Sequence, residues 1–388
     1  MSGTLVDAFL ENVERRGDRV LCRFGGRETT WRRARANVDR LAAEVRARGL
    51  GRGDRVALAM GSRPEFLESY LAVLRAGAAA VPVNPRAAPA EMEHVLADSG
   101  AKLVLADVER AEAIGALASY RRILTIEDDP DREPPPADAA ALPEGRPRPE
   151  DLALVLYTSG TTGKSKGAML THANLVANIE AIAEAWAWTE ADELLLALPL
   201  FHMHGLGVGL NGTILTGSTL DLWPRFDAAD VLARIATGRP TLFFGVPTMY
   251  SRFLQEAARA PARAGRVRLW VSGSAPLPAE SLLAFERAFG ARILERYGMS
   301  ETGMLLGNPL AGPRKPGSVG VPFRGVELKI EGETGELLLK GPNVFKGYAG
   351  NEAATRAAFT DDGWFKTGDL GHRDEDGFVF LTGRAKEL

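Results

Sequence analysis

The stretch Tyr157 to Gly167, YTSGTTGKSKG, restricts what this chain can fold into more than any other. A short apolar run, Leu152 to Leu156, precedes it and reads as a buried strand, and the segment Thr171 to Trp186 beyond it has helical spacing. Gly160, Gly163 and Gly167 let the backbone approach an anion closely. Thr158, Ser159, Thr161 and Thr162 add hydroxyl donors, and Lys164 and Lys166 add charge. The predicted setting is therefore strand, loop, helix, with the loop cradling the phosphates of a nucleotide. A Walker loop would need Gly where Thr158 stands, and a later strand ending in a metal-binding Asp, whereas Leu194 to Leu200 ends in Pro199-Leu200. A plain Ser/Thr/Gly linker would not explain why two of only nine lysines fall here.

The rest of the chain supplies a frame for such a loop. From Arg55 onward the pattern alternates: strand at Val56 to Met60, helix from Pro64, strand at Ala79 to Val83, helix at Pro89 to Asp98, strand at Leu103 to Ala106. Residues 1 to 50 read mainly as helix, with a short strand pair around Val20 to Thr30. Apolar runs at Leu194 to Leu198, Thr219 to Trp223, Thr241 to Gly245 and Arg268 to Val271, separated by helical patterns, predict a second open sheet. Asp128 to Asp151 holds seven of the 23 prolines and reads as an exposed connection. From about Pro316 the pattern changes to short alternating strands. The predicted fold class is α/β: two doubly wound, mainly parallel sheets flanked by helices, plus a small β unit. The predicted subdivision is about 1–150, 151–315, 316–383, and a hinge start at 384–388.

With 388 residues, 45% hydrophobic and 25% charged, the chain can bury a large core. A net charge of -3 argues against a nucleic-acid or anionic-membrane surface. No run of about 18 apolar residues occurs, and the N-terminus becomes charged before a signal-like core could form, so a cytoplasmic location is expected. The single cysteine, Cys22, rules out an internal disulfide and reads as core filler.

Four further stretches follow the loop in order: Gly273-Ser274-Ala275-Pro276, Tyr297-Gly298-Met299-Ser300-Glu301-Thr302, Thr367-Gly368-Asp369 and Gly383-Arg384-Ala385-Lys386. Singly, each has an ordinary structural explanation: Glu301 a helix-start acid, Asp369 a turn former, Arg384 a solvated charge, Tyr297 a core aromatic. Jointly, they and the loop resemble the adenylate-forming superfamily, the acyl-CoA synthetases and their relatives, from about residue 20 to the last residue. Ser165 stands where that family usually has Pro. The resemblance implies that Thr158 to Lys166 hold ATP phosphates, that Gly273 to Pro276 pack on the adenine, and that Tyr297 stacks on it. It further implies that Asp369 binds the ribose, that Arg384, in the element at the junction with a lid, is cofactor-binding, and that Thr161 and Glu301 hold Mg2+. An acid is then activated as its acyl adenylate and passed to coenzyme A. The chemistry needs cations on both sides of an in-line transfer and no base, since the acid is already ionised at neutral pH.

The acyl side is read from FHMHG, GVPTMYSR, VSGSAPL, ERYGMSET and GPNVFKGY, which together resemble the malonyl-CoA synthetase branch. That resemblance implies that Arg252, His204 and Ser274 contact the distal carboxylate of malonate or methylmalonate, with Met299 also counted as substrate-binding. A zinc reading of His202 and His204 lacks acidic or cysteine partners nearby, and Arg252 as one of 38 arginines has a solvated surface reading. The alternatives are a medium-chain or aryl acyl-CoA ligase, a phosphate-transferring NTPase, and a noncatalytic nucleotide-binding protein. The resemblance also places Lys386 at a hinge to a C-terminal lid, so the chain is expected to be the large domain alone, strongly impaired in thioester formation. Sequence does not address the oligomeric state.

Overall fold

A computed structural model describes residues 3–117, 122–126, 146–158, 164–259 and 263–385. Two large sheets and one small one carry the strands. In the first large sheet, β3 (Arg55–Ala59), β4 (Ala79–Pro82), β5 (Leu103–Ala106), β6 (Ile123–Thr125) and β7 (Leu152–Thr158) run parallel in the order β6-β5-β3-β4-β7, and β8 (Lys166–Thr171) closes the edge antiparallel to β7. The strand period of two divides their side chains between two buried faces. Val56 and Leu58 enter the main core, while Ala57 and Ala59 enter a second cluster with Val81, Val104 and Val155.

The second large sheet has a parallel centre of β9 (Glu193–Leu196), β10 (Thr219–Leu222), β11 (Leu242–Gly245), β12 (Leu269–Ser272) and β13 (Ile293–Met299). It is extended at one end by β14 (Gly303–Gly307) and β15 (Val321–Pro322). At the other end lies the hairpin of β1 (Val20–Phe24) and β2 (Arg27–Thr30), with Cys22 opposite Leu220 on β10. The small antiparallel sheet comprises β16 (Glu327–Ile330), β17 (Gly335–Lys340), β18 (Phe365–Arg373) and β19 (Val379–Arg384). One continuous core joins the large sheets through a shared helical layer: Phe9 of α1 (Leu5–Arg16), Leu67 and Leu71 of α3 (Pro64–Arg75), and Ile179 of α6 (His172–Ala185) all belong to it.

The α/β class read from the alternating pattern is the class observed. Two local readings need correction. The phosphate loop is spanned by a hairpin, not by a strand and a helix: Thr158 pairs with Lys166 and Tyr157 with Gly167 across β7 and β8. The helix read over Thr171 to Trp186 is present as His172–Ala185, with Thr171 and Asn174 forming a reciprocal cap; what the reading lacked is the strand between it and the loop. Six residues of strand are too few for periodicity to separate from a loop tail, and the helix end therefore does not abut the loop. Gly167 is needed here because a Cβ would lie 2.8 Å from Val155 and 2.9 Å from Tyr157. The division at residue 150 is also not the division between sheets: β1 and β2 cross to the second sheet, whereas β7 and β8 complete the first. Most of the proline-rich connection, residues 127–145, lies outside the described residues.

Candidate active site

At the nucleotide side, Thr158 and Lys166 face each other at the mouth of the β7–β8 hairpin, and Lys164 is exposed beside them. Ser159, Gly160, Thr161, Thr162 and Gly163 lie outside the described residues. The turn between β13 and β14 carries Ser300, Glu301 and Thr302, and is tied to the segment that follows β17. Phe345 N donates to Glu301 O at 2.8 Å, and Asn343 Nδ2 donates to Thr302 O at 2.8 Å. That segment also pairs with β8: Lys346 N donates to Met169 O and Ala349 N to Gly167 O, both at 2.8 Å. Two distant stretches of chain are thereby brought together. Lys166 Nζ stands 5.1 Å from the centre of the Tyr348 ring, and the Tyr348 hydroxyl donates to Glu301 Oε1 at 2.9 Å. Burial raises the Glu301 carboxyl above its ordinary value, against the pull of the Tyr348 bond and of the Lys166 and Arg384 charges.

Asp369 and Arg384 are cross-strand neighbours on β18 and β19, with Arg384 Nε 2.8 Å from Asp369 Oδ1. The Tyr297 hydroxyl donates to the other Asp369 oxygen. Tyr297 is packed with Leu306, Val319, Leu337 and Val379, and both that burial and the adjacent carboxylate push its hydroxyl well up. Gly273 to Pro276 form the turn between β12 and α10 (Ala279–Phe289), where Ser274 takes φ +69, an uncommon conformation for a residue with a side chain. Glu295 braces this turn from behind, accepting from Leu277 N at 2.9 Å. Gly298 is fixed by close approach, since a Cβ would lie 2.3 Å from Gly303 O. Met299 and Ser300 are half-buried beside it.

The acyl side is built differently. Met203–Leu210 forms a π-helix, a rare form that marks functional sites, and Gly205 lets it press on Pro199, whose O would be 2.2 Å from a Cβ. His204 lies in its first turn, 4% exposed and stacked 5.9 Å from Phe244, with neither ring nitrogen hydrogen-bonded. Burial and the neighbouring Arg296 charge hold His204 well below its ordinary range. Arg296 itself is 3% exposed; its guanidinium reaches Ser274 Oγ at 3.3 Å, and its Nε has no partner. Burial lowers it to about 9, so it remains a cation at neutral pH. Gly273 makes room for it, because a Cβ there would lie 2.4 Å from Arg296 Cζ. Arg252, on α9 (Pro247–Ala257), is exposed, and the described residues give it no hydrogen bond or ion pair. His202 is exposed.

The family model described as AMP-binding enzyme matches residues 9–349. The chain belongs to that family. A feruloyl-CoA synthase of an Amycolatopsis species is 38% identical over 94% of this chain and 75% of its own length. The ATP-bound MatB of Rhodopseudomonas palustris superposes with a TM-score of 0.91 at 36% identity, covering 100% of this chain and 80% of that one. A malonyl-CoA ligase complex with methylmalonyl-CoA and AMP gives 0.85 at 37%, covering 95% and 78%. As an AMP-binding enzyme of this kind, the protein is an acyl-CoA ligase that works with ATP and coenzyme A. No helix among the described residues is long and apolar enough to cross a membrane.

Within this ligase fold, three side chains missed in the sequence stand out. Arg296 lies directly before Tyr297 in the ERYGMSET stretch; strand alternation turns it to the opposite face, toward His204, and that parity was the available signal. Glu295 and Tyr348 lie within the ERYGMSET and GPNVFKGY stretches, but their roles depend on contacts with Leu277 and Glu301 that only packing sets. A separate cavity of about 560 Å³ lies between the β1–β2 hairpin and the segment after β10. Some of its charges are paired: Arg23 with Glu28, and Arg234 with Asp221.

Proposed function

We propose that this acyl-CoA ligase activates malonate, with methylmalonate as the alternative diacid. The observation that carries this reading is the buried, incompletely bonded guanidinium of Arg296 beside His204, whose ring nitrogens have no hydrogen-bond partner. A cation kept from water without a full set of partners is costly unless an anion arrives to complete it. An aryl or aliphatic tail would leave that cost in place, whereas the distal carboxylate of a short diacid removes it through charge-assisted bonds from Arg296, His204 and Ser274. Arg252, at the open side, would add a further cation, and Met299 part of the wall.

The reacting carboxylate then attacks the α-phosphorus of ATP as pyrophosphate leaves. Thr158 to Lys166 would hold the phosphates, Gly273 to Pro276 and Tyr297 the adenine, and Asp369 with Arg384 the ribose hydroxyls. For Mg2+ the donor chemistry fits: Glu301 offers a carboxylate and Thr161 a hydroxyl, hard oxygen ligands suited to a cation that arrives with phosphates and water. Bound there, it would neutralise the developing phosphate charge. Coenzyme A thiol displaces AMP in the second half-reaction. Pyrophosphate release with malonate, methylmalonate, acetate, octanoate and coumarate tests the assignment, and malonate should lead. Preference for coumarate would move the protein to the aryl ligases, in line with its feruloyl-CoA synthase relative. Choosing between malonate and methylmalonate turns on one methyl, worth about 1–3 kcal/mol.

A further inference from the structure

Lys166 and Glu301 carry opposite charges in one partly buried pocket, yet they do not form an ion pair; the ring of Tyr348 meets the ammonium on its face and the carboxylate at its hydroxyl. At contact, the two would attract more strongly than across a ring, because Coulomb attraction grows as the charges approach. We propose that Tyr348 is a positioning residue that keeps these two charges apart, so that the lysine is free for nucleotide phosphate and the carboxylate for the cation that accompanies it.

The ring is held firmly enough for this task. Its backbone N donates to Thr355 Oγ1 at 2.9 Å, the isolated bridge between Tyr348 and Ala168 fastens it beside β8, and Phe345 meets it edge-on at 4.9 Å. Its face offers Lys166 a cation–π seat, an attraction that, unlike a carboxylate, is readily surrendered to a phosphate. The hydroxyl occupies one oxygen of Glu301 and fixes the direction of the other.

This inference rests on reading Lys166 as a phosphate ligand, and Lys166→Ala tests that reading separately. Calorimetry with ATP in the presence of EDTA, where no metal draws on Glu301, isolates the spacer. Tyr348→Leu should bind ATP about tenfold more weakly, because the lysine collapses onto the carboxylate. Adding Glu301→Gln should restore affinity to within about twofold of the parent, since the competing charge is gone. Tyr348→Phe, which keeps the ring, should stay within about threefold. Amine-directed labelling read by mass spectrometry should show Lys166 less reactive in Tyr348→Leu alone and recovered in the double variant, an outcome that loosened packing would not produce. If Tyr348→Leu fails to fold, Tyr348→Phe decides: unchanged Lys166 labelling supports the ring as spacer, and reduced labelling overturns it. Parent-like ATP affinity in Tyr348→Leu, or no recovery on adding Glu301→Gln, also overturns the proposal. A Lys166→Ala variant that binds ATP normally would instead remove the phosphate reading beneath it.

Discussion

The two sides of the cleft meet on one strand, Ile293–Met299, and they wait for their ligands in opposite ways. On the nucleotide side the polar groups already satisfy one another: Asp369 is bonded by both Tyr297 and Arg384, and Glu301 by Tyr348. On the acyl side, Arg296 and His204 are more deeply buried and less fully bonded. A nucleotide must therefore displace internal partners, so each contact it makes is an exchange with a modest net gain. On the proposed reading, a diacid would complete groups whose hydrogen bonds are unmet, and its binding should be correspondingly sensitive to single substitutions.

The sharpest test of that contrast is Arg296→Met. Malonate kcat/KM should fall about a hundred- to a thousandfold, the range for losing one partner of a buried charge pair, while AMP affinity stays within a few-fold. The same change should leave thermal stability unchanged or higher, because an incompletely paired buried cation is replaced by an apolar chain. Activity lost together with stability would mean that Arg296 is a structural cation, and the contrast would break.

Glu295 sits at the seam, with its carboxyl accepting from Leu277 N beside the Gly273–Pro276 turn and the next side chain, Arg296, on the side proposed for the acyl group. Burial raises it from an ordinary 4.5 to about 7 in the folded protein. The folded state therefore holds this proton more tightly than the unfolded state does. The sign follows: stability from this group is complete below about pH 4.5 and is lost as pH rises through about 7. Glu295→Gln should match the parent near pH 4.5 and exceed it by up to about 3 kcal/mol at pH 8, measured by denaturant unfolding. A constant offset between the two at all pH values would show that the carboxyl is not neutral in the folded protein.

The α/β frame was legible from its alternating pattern, and several motif glycines were legible because their residue type is set by what the backbone must do there. The spacing of Gly273, Gly298 and Gly368 records close approach or positive φ directly in the sequence. The π-helix was not legible, because its glycines alternate through an apolar run that local periodicity cannot distinguish from other buried segments. Nor was the exchange of edge strands between sheets, since which sheet a hairpin joins is decided by partners such as Leu220 and Ala80, far away in the chain. Arg296 was legible only as a residue on the opposite face of its strand from Tyr297; its burial and its unpartnered Nε emerge only in three dimensions.

Asp369→Ala should produce an intermediate effect. ATP and AMP share the ribose, so both should weaken by about ten- to a hundredfold, the range for a hydrogen bond to a charged group, while the malonate KM shifts little. Loss of Asp369 also frees Tyr297 and Arg384, which softens the net cost. Glu301→Gln should differ in pattern, weakening ATP with magnesium more than AMP. Calorimetry that finds AMP binding untouched by Asp369→Ala would remove the ribose assignment and leave Asp369 as a partner for Tyr297 alone.

The smallest effect is expected at Arg252, which resembles the family's diacid ligand by position yet differs from Arg296 in every physical respect. It is exposed, one turn into α9, and in the free protein it is already solvated. Binding a carboxylate there exchanges water for a partner in a well-screened setting, which ordinarily contributes about 1 kcal/mol or less. Arg252→Ala should thus raise the malonate KM by roughly tenfold at most, with AMP affinity unchanged and with a loss that shrinks further at high salt. Removing Arg296 should show little salt dependence, because its charge is shielded from the solvent. If Arg252→Ala instead abolishes malonate activity at all salt concentrations, the exposed arginine must become buried when the substrate is bound, and the acyl side would be assembled by the ligand rather than waiting for it.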